Sequence, residues 1–253
     1  MKIHRYGIHR GEEQYVKGNA RAGMIVLAGC HLRCSFCYTP EASFERQGEF
    51  LDLGRVLDEL LEQGAENFNF ISPTHVWNEI RGPLKLARAR HPHIPVVLKV
   101  SGYEGQRLAR EFAQSADIVV MDYKVFHEEA AKAVNLPLPY GKIAAQFLQE
   151  LLPLMPFKTN AQGEIERGVL VRTLWIPTAP DEATAIGQNL QRLGFDGAWN
   201  LMRHFIDPVG KRLLSAPKDW ETKSTGLLET PLFEVWYGGK RQTQAAALME
   251  QAV

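Results

Sequence analysis

All three cysteines of the chain stand between positions 30 and 37, in the order Cys30-His31-Leu32-Arg33-Cys34-Ser35-Phe36-Cys37. Thiolates are the preferred ligands of iron–sulfur clusters, and C-x3-C-x2-C spacing lets one loop offer three of them. Three thiolates hold three corners of a 4Fe-4S cube and leave the fourth iron open to a small molecule. An open iron beside a sulfonium can deliver one electron and break a carbon–sulfur bond, whereas an electron carrier closes all four corners. Zinc is the competing metal. It takes four ligands, so His31 or a distant histidine would have to complete its set. Cysteines packed this closely argue against a disulfide framework.

Further chemistry-bearing side chains fall at the ends of apolar runs. Ser72-Pro73-Thr74-His75 follow Asn67-Phe68-Asn69-Phe70-Ile71, and Lys99 and Ser101 close the run at 96–100. Asp122 and Lys124 follow residues 118–121, Arg172 lies within 169–176, and His204 follows 198–202. Extended backbone alternates its side chains, which puts Asp122 and Lys124 on one face. Each residue also has a plainer reading: Thr74 as a helix cap, Asp122 with Lys124 as a structural ion pair, Lys99 as a rim salt-bridge partner, and His204 as a packed core-edge side chain. The fork of Arg172 suits a carboxylate. Arg81, Lys85 and Arg88 recur at helical spacing, as a solvated face or a dock for an acidic electron donor.

The elements that must position these residues alternate along the chain. Short strands are expected at 24–28, 67–72, 96–100, 118–121, 169–176 and 198–202. Helices are expected at 51–63, 78–91, 104–114, 126–134, 141–152 and 181–193, the first with Leu53, Val56, Leu57, Leu60 and Leu61 at helical spacing and Gly64 at its end. Residues 1–22 read as an irregular lead-in. The alternation predicts an α/β fold, a parallel sheet curled into an open, partial (β/α)6 TIM-like barrel. In such barrels the C-terminal rim of the strands carries the site, and the residues above gather there. Two regions follow: a barrel domain over 1–204, and an extension over 205–253 packed on it, with a strand at 233–237.

Composition sets the outer limits. The chain has 253 residues, 45% hydrophobic and 23% charged, enough for a substantial core and an ordinary surface. Lys plus Arg equals Asp plus Glu at 29 each, so no global charge attracts nucleic acid or a membrane surface. The apolar run at 24–28 is too short for a secretory core or a membrane span, so a cytoplasmic protein is expected.

The cysteine motif, with an aromatic before its third cysteine, resembles the radical S-adenosylmethionine superfamily. The flanking Leu27-Ala28-Gly29 and Tyr38-Thr39-Pro40-Glu41-Ala42-Ser43 look like the branch related to pyruvate formate-lyase activating enzyme, more specifically its PflX-like group. The likeness runs over roughly residues 20–210. It implies an oxidoreductase with a 4Fe-4S cluster on Cys30, Cys34 and Cys37. S-adenosylmethionine would be cleaved to methionine and a 5′-deoxyadenosyl radical that abstracts hydrogen. Cofactor contacts implied by position are Ser72, Thr74, Asp122, Lys124, Arg172 and His204. Two departures stand out: the family's GGEP-like loop is replaced by Ser72-Pro73-Thr74-His75, and Lys99 stands where activating enzymes often carry an aspartate. Implied partners are a low-potential electron donor (flavodoxin or ferredoxin) and a glycyl-radical enzyme or other protein substrate. The alternatives are a radical enzyme acting on a small molecule or peptide side chain, and a non-catalytic iron–sulfur or zinc-binding module.

Overall fold

The computed structural model describes residues 1–10, 13, 15–210, 212–218 and 220, and the backbone of 234–237 and 240–242. In chain order the elements begin with β1 (Lys2–His9), β2 (Ala22–Leu27), α1 (Pro40–Ser43), β3 (Glu49–Phe50), α2 (Leu53–Glu62) and β4 (Asn67–Ile71). Then come α3 (Trp77–Arg90), β5 (Val96–Val100), α4 (Gln106–Ser115), β6 (Ile118–Asp122), α5 (Glu128–Ala133) and α6 (Tyr140–Leu151). The remainder are β7 (Lys158–Thr159), β8 (Ile165–Leu174), α7 (Glu182–Arg192), β9 (Ala198–Met202), β10 (His204–Ile206), β11 (Leu213–Ser215), β12 (Glu234–Tyr237) and β13 (Lys240–Gln242).

Strands β2, β4, β5, β6, β8 and β9 lie side by side and parallel, the six expected from the alternation. The strand of the C-terminal region, β12, adds to β9 in parallel, and β13 pairs with it antiparallel. At the other edge β1 runs antiparallel to β2 and carries β3. The two ends of this order, β13 and β3, do not pair with each other, so the sheet is an open, partial TIM-type barrel. The irregular lead-in expected over 1–22 is corrected: Lys2–His9 is a strand. Its KIHRYGIH sequence hides this because an antiparallel strand near an edge is only half buried and mixes charge with apolar residues.

Period two divides the core. One face of the sheet packs Val119, Met121, Val169 and Val171 against helix residues such as Leu60, Phe112, Phe147 and Ile186. Helix α2 shows why these helices form. Asp52 caps it by accepting from Arg55 N–H at 2.9 Å, and Leu53, Val56, Leu57 and Leu60 share its buried side. Each such side chain contributes about 1.5–3 kcal/mol on burial.

The opposite, concave face holds Val97, Ile118, Val120, Ile165, Leu170 and Ala198, and here Tyr15 and Val16 pack against them. Residues 15–19 therefore run inside the curve of the sheet. Val16 bridges Ile165, Lys17 N–H bonds Ile165 O at 2.9 Å, and Ile165 N–H bonds Tyr15 O at 2.7 Å. Asn19 is fully buried beside Asn67, whose amide donates to its oxygen at 2.6 Å.

Candidate active site

The cysteine loop leaves the C-terminal end of β2 at Gly29. That residue has φ +115, and a Cβ there would lie 2.7 Å from His75 Nε2, so only glycine fits the exit. His75 braces the same point, its ring nitrogens 3.1 Å from Ala28 O and 3.1 Å from Ser72 O. Farther along, Leu32 is buried, Ser35 N–H bonds Val134 O at 3.1 Å, and Asn135 donates to Arg33 O at 2.7 Å. The loop is thereby pinned to the turn that follows α5.

All three thiols are free, Cys34 buried and the other two half-buried. Cys30 Sγ accepts from Leu32 N–H at 3.4 Å, and Cys37 Sγ lies 3.4 Å from Ser43 Oγ. Burial pushes the Cys34 thiol up to about 11 and raises that of Cys30, each against the opposing charge of Lys124. Metal-free, these two thiols are protonated at neutral pH, and loading a metal must release their protons. Among the described residues no three His, Cys, Asp or Glu side chains converge on a single metal ion. The donor set, three soft thiols on one loop with hydroxyls beside Cys30 and Cys37, fits an iron–sulfur cluster.

From Lys124 a chain of charge runs across the concave face. Its ammonium lies 5.7 Å over the Phe36 ring and 3.0 Å from Asp122 Oδ2. Asp122 Oδ1 accepts from Arg172 Nε at 2.7 Å, in cross-strand register with it. Arg172 then donates from its other side to Glu13 Oε1 at 2.8 Å, and Lys99 donates to Glu13 Oε2 at 2.9 Å. Burial alone would favour the neutral acids. The neighbouring cations outweigh it and hold Asp122 and Glu13 well below the usual carboxylate range. Burial likewise opposes the Lys124 charge, and Asp122 more than restores it.

This chain refines two sequence expectations. Lys99 does form a salt bridge, but at 5% exposure it is an interior cation. Arg172 is already held by two carboxylates, so its role as a carboxylate grip competes with Asp122 and Glu13. Glu13 itself carried no motif and sat in the supposed lead-in. Nothing local signals a residue whose partners lie 86 and 159 positions away.

A second cluster sits at the ends of β4 and β5. Ser72, at φ +57, turns the chain after β4 and places its hydroxyl beside the Cys30 thiol. Thr74 donates to Glu104 Oε1 at 2.9 Å rather than capping a helix. Burial raises the Glu104 carboxyl, and burial with the nearby charge of His75 lowers the His31 imidazole to about 4. Tyr140 knits the rim together, accepting from Lys124 N–H at 3.1 Å with its hydroxyl 2.6 Å from Ser101 O and 2.8 Å from Asp122 O. Gly102, at φ +83, lies so close that a Cβ would meet Asp122 O at 2.8 Å. His204 stands apart, exposed on β10 with Nδ1 2.9 Å from Ser215 Oγ. Of the basic stripe, Arg88 is paired with Asp117 at 2.7 Å and Arg81 reaches Glu111 at 4.0 Å.

No protein-family model and no curated protein sequence matches the chain. Solved structures do match it in fold. SuiB from Streptococcus suis superposes with a TM-score of 0.57 at 10% identity, over 85% of this chain and 48% of SuiB. The FeFe-hydrogenase maturase HydG from Carboxydothermus hydrogenoformans gives 0.55 at 10% identity, over 83% of this chain and 51% of HydG. The chain thus spans about half the length of either protein. At such identity, what they share with this chain is the fold.

Proposed function

We propose that the protein is a radical S-adenosylmethionine enzyme whose Cys30, Cys34 and Cys37 ligate a 4Fe-4S cluster. The observation that carries this reading is the position of three free thiols on one loop at the strand-end rim of this fold, with Lys124 facing them. The cluster and S-adenosylmethionine, when bound, supply one-electron cleavage of a carbon–sulfur bond and a radical able to take hydrogen from a substrate. The chain's own residues do the rest. Ser72 and Thr74 line the turn beside Cys30, and Lys124 places a cation where an anionic ligand group would approach the cysteines. Asp122, fixed by Arg172, holds that cation in place. His204, exposed on its hairpin, serves only if a bound ligand reaches outward to it.

The finer reading is a glycyl-radical activase of the PflX-like kind, acting on a glycine Cα–H of a partner protein with a flavodoxin or ferredoxin as reductant. Residues 27–43 resemble that branch, and the open sheet suits a macromolecular loop better than a sealed barrel would. The turn at Asp207-Pro208-Val209-Gly210 follows β10, with Val209 and Gly210 exposed.

Anaerobic reconstitution with iron and sulfide tests the central claim. About four irons per chain are expected from three-thiolate ligation of a cubane. Changing any one cysteine to alanine should abolish the cluster, and His31→Ala should leave the stoichiometry intact. One tightly held zinc with no cluster after reconstitution would overturn the reading. For the partner, electron paramagnetic resonance after mixing with a candidate glycyl-radical enzyme should show a doublet on that enzyme. Fast turnover on a free metabolite, with no partner radical, would assign a small-molecule substrate instead.

A further inference from the structure

His31 belongs to the spacer between Cys30 and Cys34, yet its ring leaves the loop and docks on the turn after β5. Its Nε2 lies 2.9 Å from Ser101 Oγ and 3.7 Å from Glu104 Oε1. The Ser101 hydroxyl is shared: it also bonds Glu104 Oε1 at 2.8 Å and accepts from Tyr103 N–H at 3.2 Å. Glu104 Oε1 is anchored twice more, by Ser101 N–H at 3.1 Å and by the Thr74 hydroxyl at 2.9 Å. One carboxylate oxygen thus ties together the turn after β4, the turn after β5 and, through Ser101, the cysteine spacer. The other oxygen, Oε2, is buried without a hydrogen-bond partner among the described residues. An unpaired buried carboxyl oxygen costs stability, so packing alone does not account for an acid here.

We propose that Glu104 is a positioning residue for the cysteine loop, holding His31 through Ser101 and so setting the spread of Cys30 and Cys34. Its consequence for a cluster rests on the ligand assignment made above. The clamp itself is a property of the metal-free chain and can be measured there. Leu32 is buried and Asn135 holds Arg33 O, so cutting the Ser101 contact loosens the segment between two ligands without freeing it. Cys37 lies beyond this span and is braced separately by Ser43.

The test uses the full-length, reduced, metal-free protein. The alkylation rate of each cysteine by iodoacetamide is followed by mass spectrometry, with circular dichroism to confirm folding. Ser101→Ala and Glu104→Ala should each speed modification of Cys30 and Cys34 by about fivefold, as for losing one buried hydrogen bond. Cys37 should change by less than about twofold, within the ordinary scatter of surface effects. Glu104→Gln keeps an oxygen at the Oε1 position and should restore rates close to wild type. The double variant His31→Ala/Ser101→Ala should exceed neither single variant, since both cut one contact. In reconstituted protein, iron loss to a chelator should follow the same order. Wild-type alkylation rates in folded Ser101→Ala would overturn the clamp, even if Glu104→Ala failed to fold. A released Cys30 and Cys34 in a protein that never takes up a cluster would uphold the clamp and overturn the metal assignment alone.

Discussion

Asp122 and Glu13 are acids that the fold keeps ionised against their burial. A carboxylate with a depressed folded pKa adds stability that is fully present above its unfolded value, about 4. That stability is lost as pH falls toward the folded value. Thermal melts should therefore hold steady from neutral pH to about 5 and drop steeply below the ordinary carboxylate range. Glu13→Gln should lower the neutral-pH midpoint and flatten this acid limb. Lys124 invites a different measurement. Lys124→Ala should weaken S-adenosylmethionine binding to cluster-loaded protein by about tenfold or more, the scale of one charge-assisted contact of roughly 1.5–3 kcal/mol. Unchanged affinity would leave Lys124 a structural partner of Asp122. Arg172→Ala answers a stability question first, because it strips a cation from two carboxylates at once, at a cost on the order of 3 kcal/mol. The pairing of Asp122 with Lys124 was legible in the sequence from strand period alone. Their link onward to Glu13 was not, because it depends on tertiary placement.

The cysteine loop, the turn after β4 and the turn after β5 are ordinary connections whose geometry is fixed by their glycines and hydroxyls. Gly29→Ala forces a Cβ against His75 at a backbone angle that alanine avoids, a strain of about 1–3 kcal/mol. The expected result is a folded barrel with a displaced loop: near-native circular dichroism and a large loss of iron on reconstitution. Full iron content in that variant would show the loop exit to be tolerant. The six parallel strands were readable because strands buried on both faces give short apolar runs stopped by Gly, Pro or a polar residue. Those at 96–100 and 198–202 agree end to end. Strand β8 begins earlier than its apolar run suggests, since Glu166 and Arg167 belong to it while remaining half-exposed. The β10–β11 hairpin had no legible pattern in three-residue strands.

At the scale of the whole molecule, the sheet continues past β9 through Glu234–Tyr237. A chain ended at residue 204 would leave the backbone of β9 unpaired on that side, and open strand edges pair with other chains. Such a truncation should elute as soluble aggregate on size exclusion; a well-behaved monomer would show that β9 needs no cover. The interior segment carries a consequence for biogenesis. Glu13 finds Arg172 across 159 residues, and Val16 finds its bridge only once Ile165 exists. During synthesis Glu13 and Val16 must wait for these two partners until most of the protein has left the ribosome. The three cysteines emerge early in that interval, with Lys124 still to come. Nascent chains therefore expose their thiols before the charged floor beneath them is laid, and it is then that oxidants or the wrong metal have the readiest access.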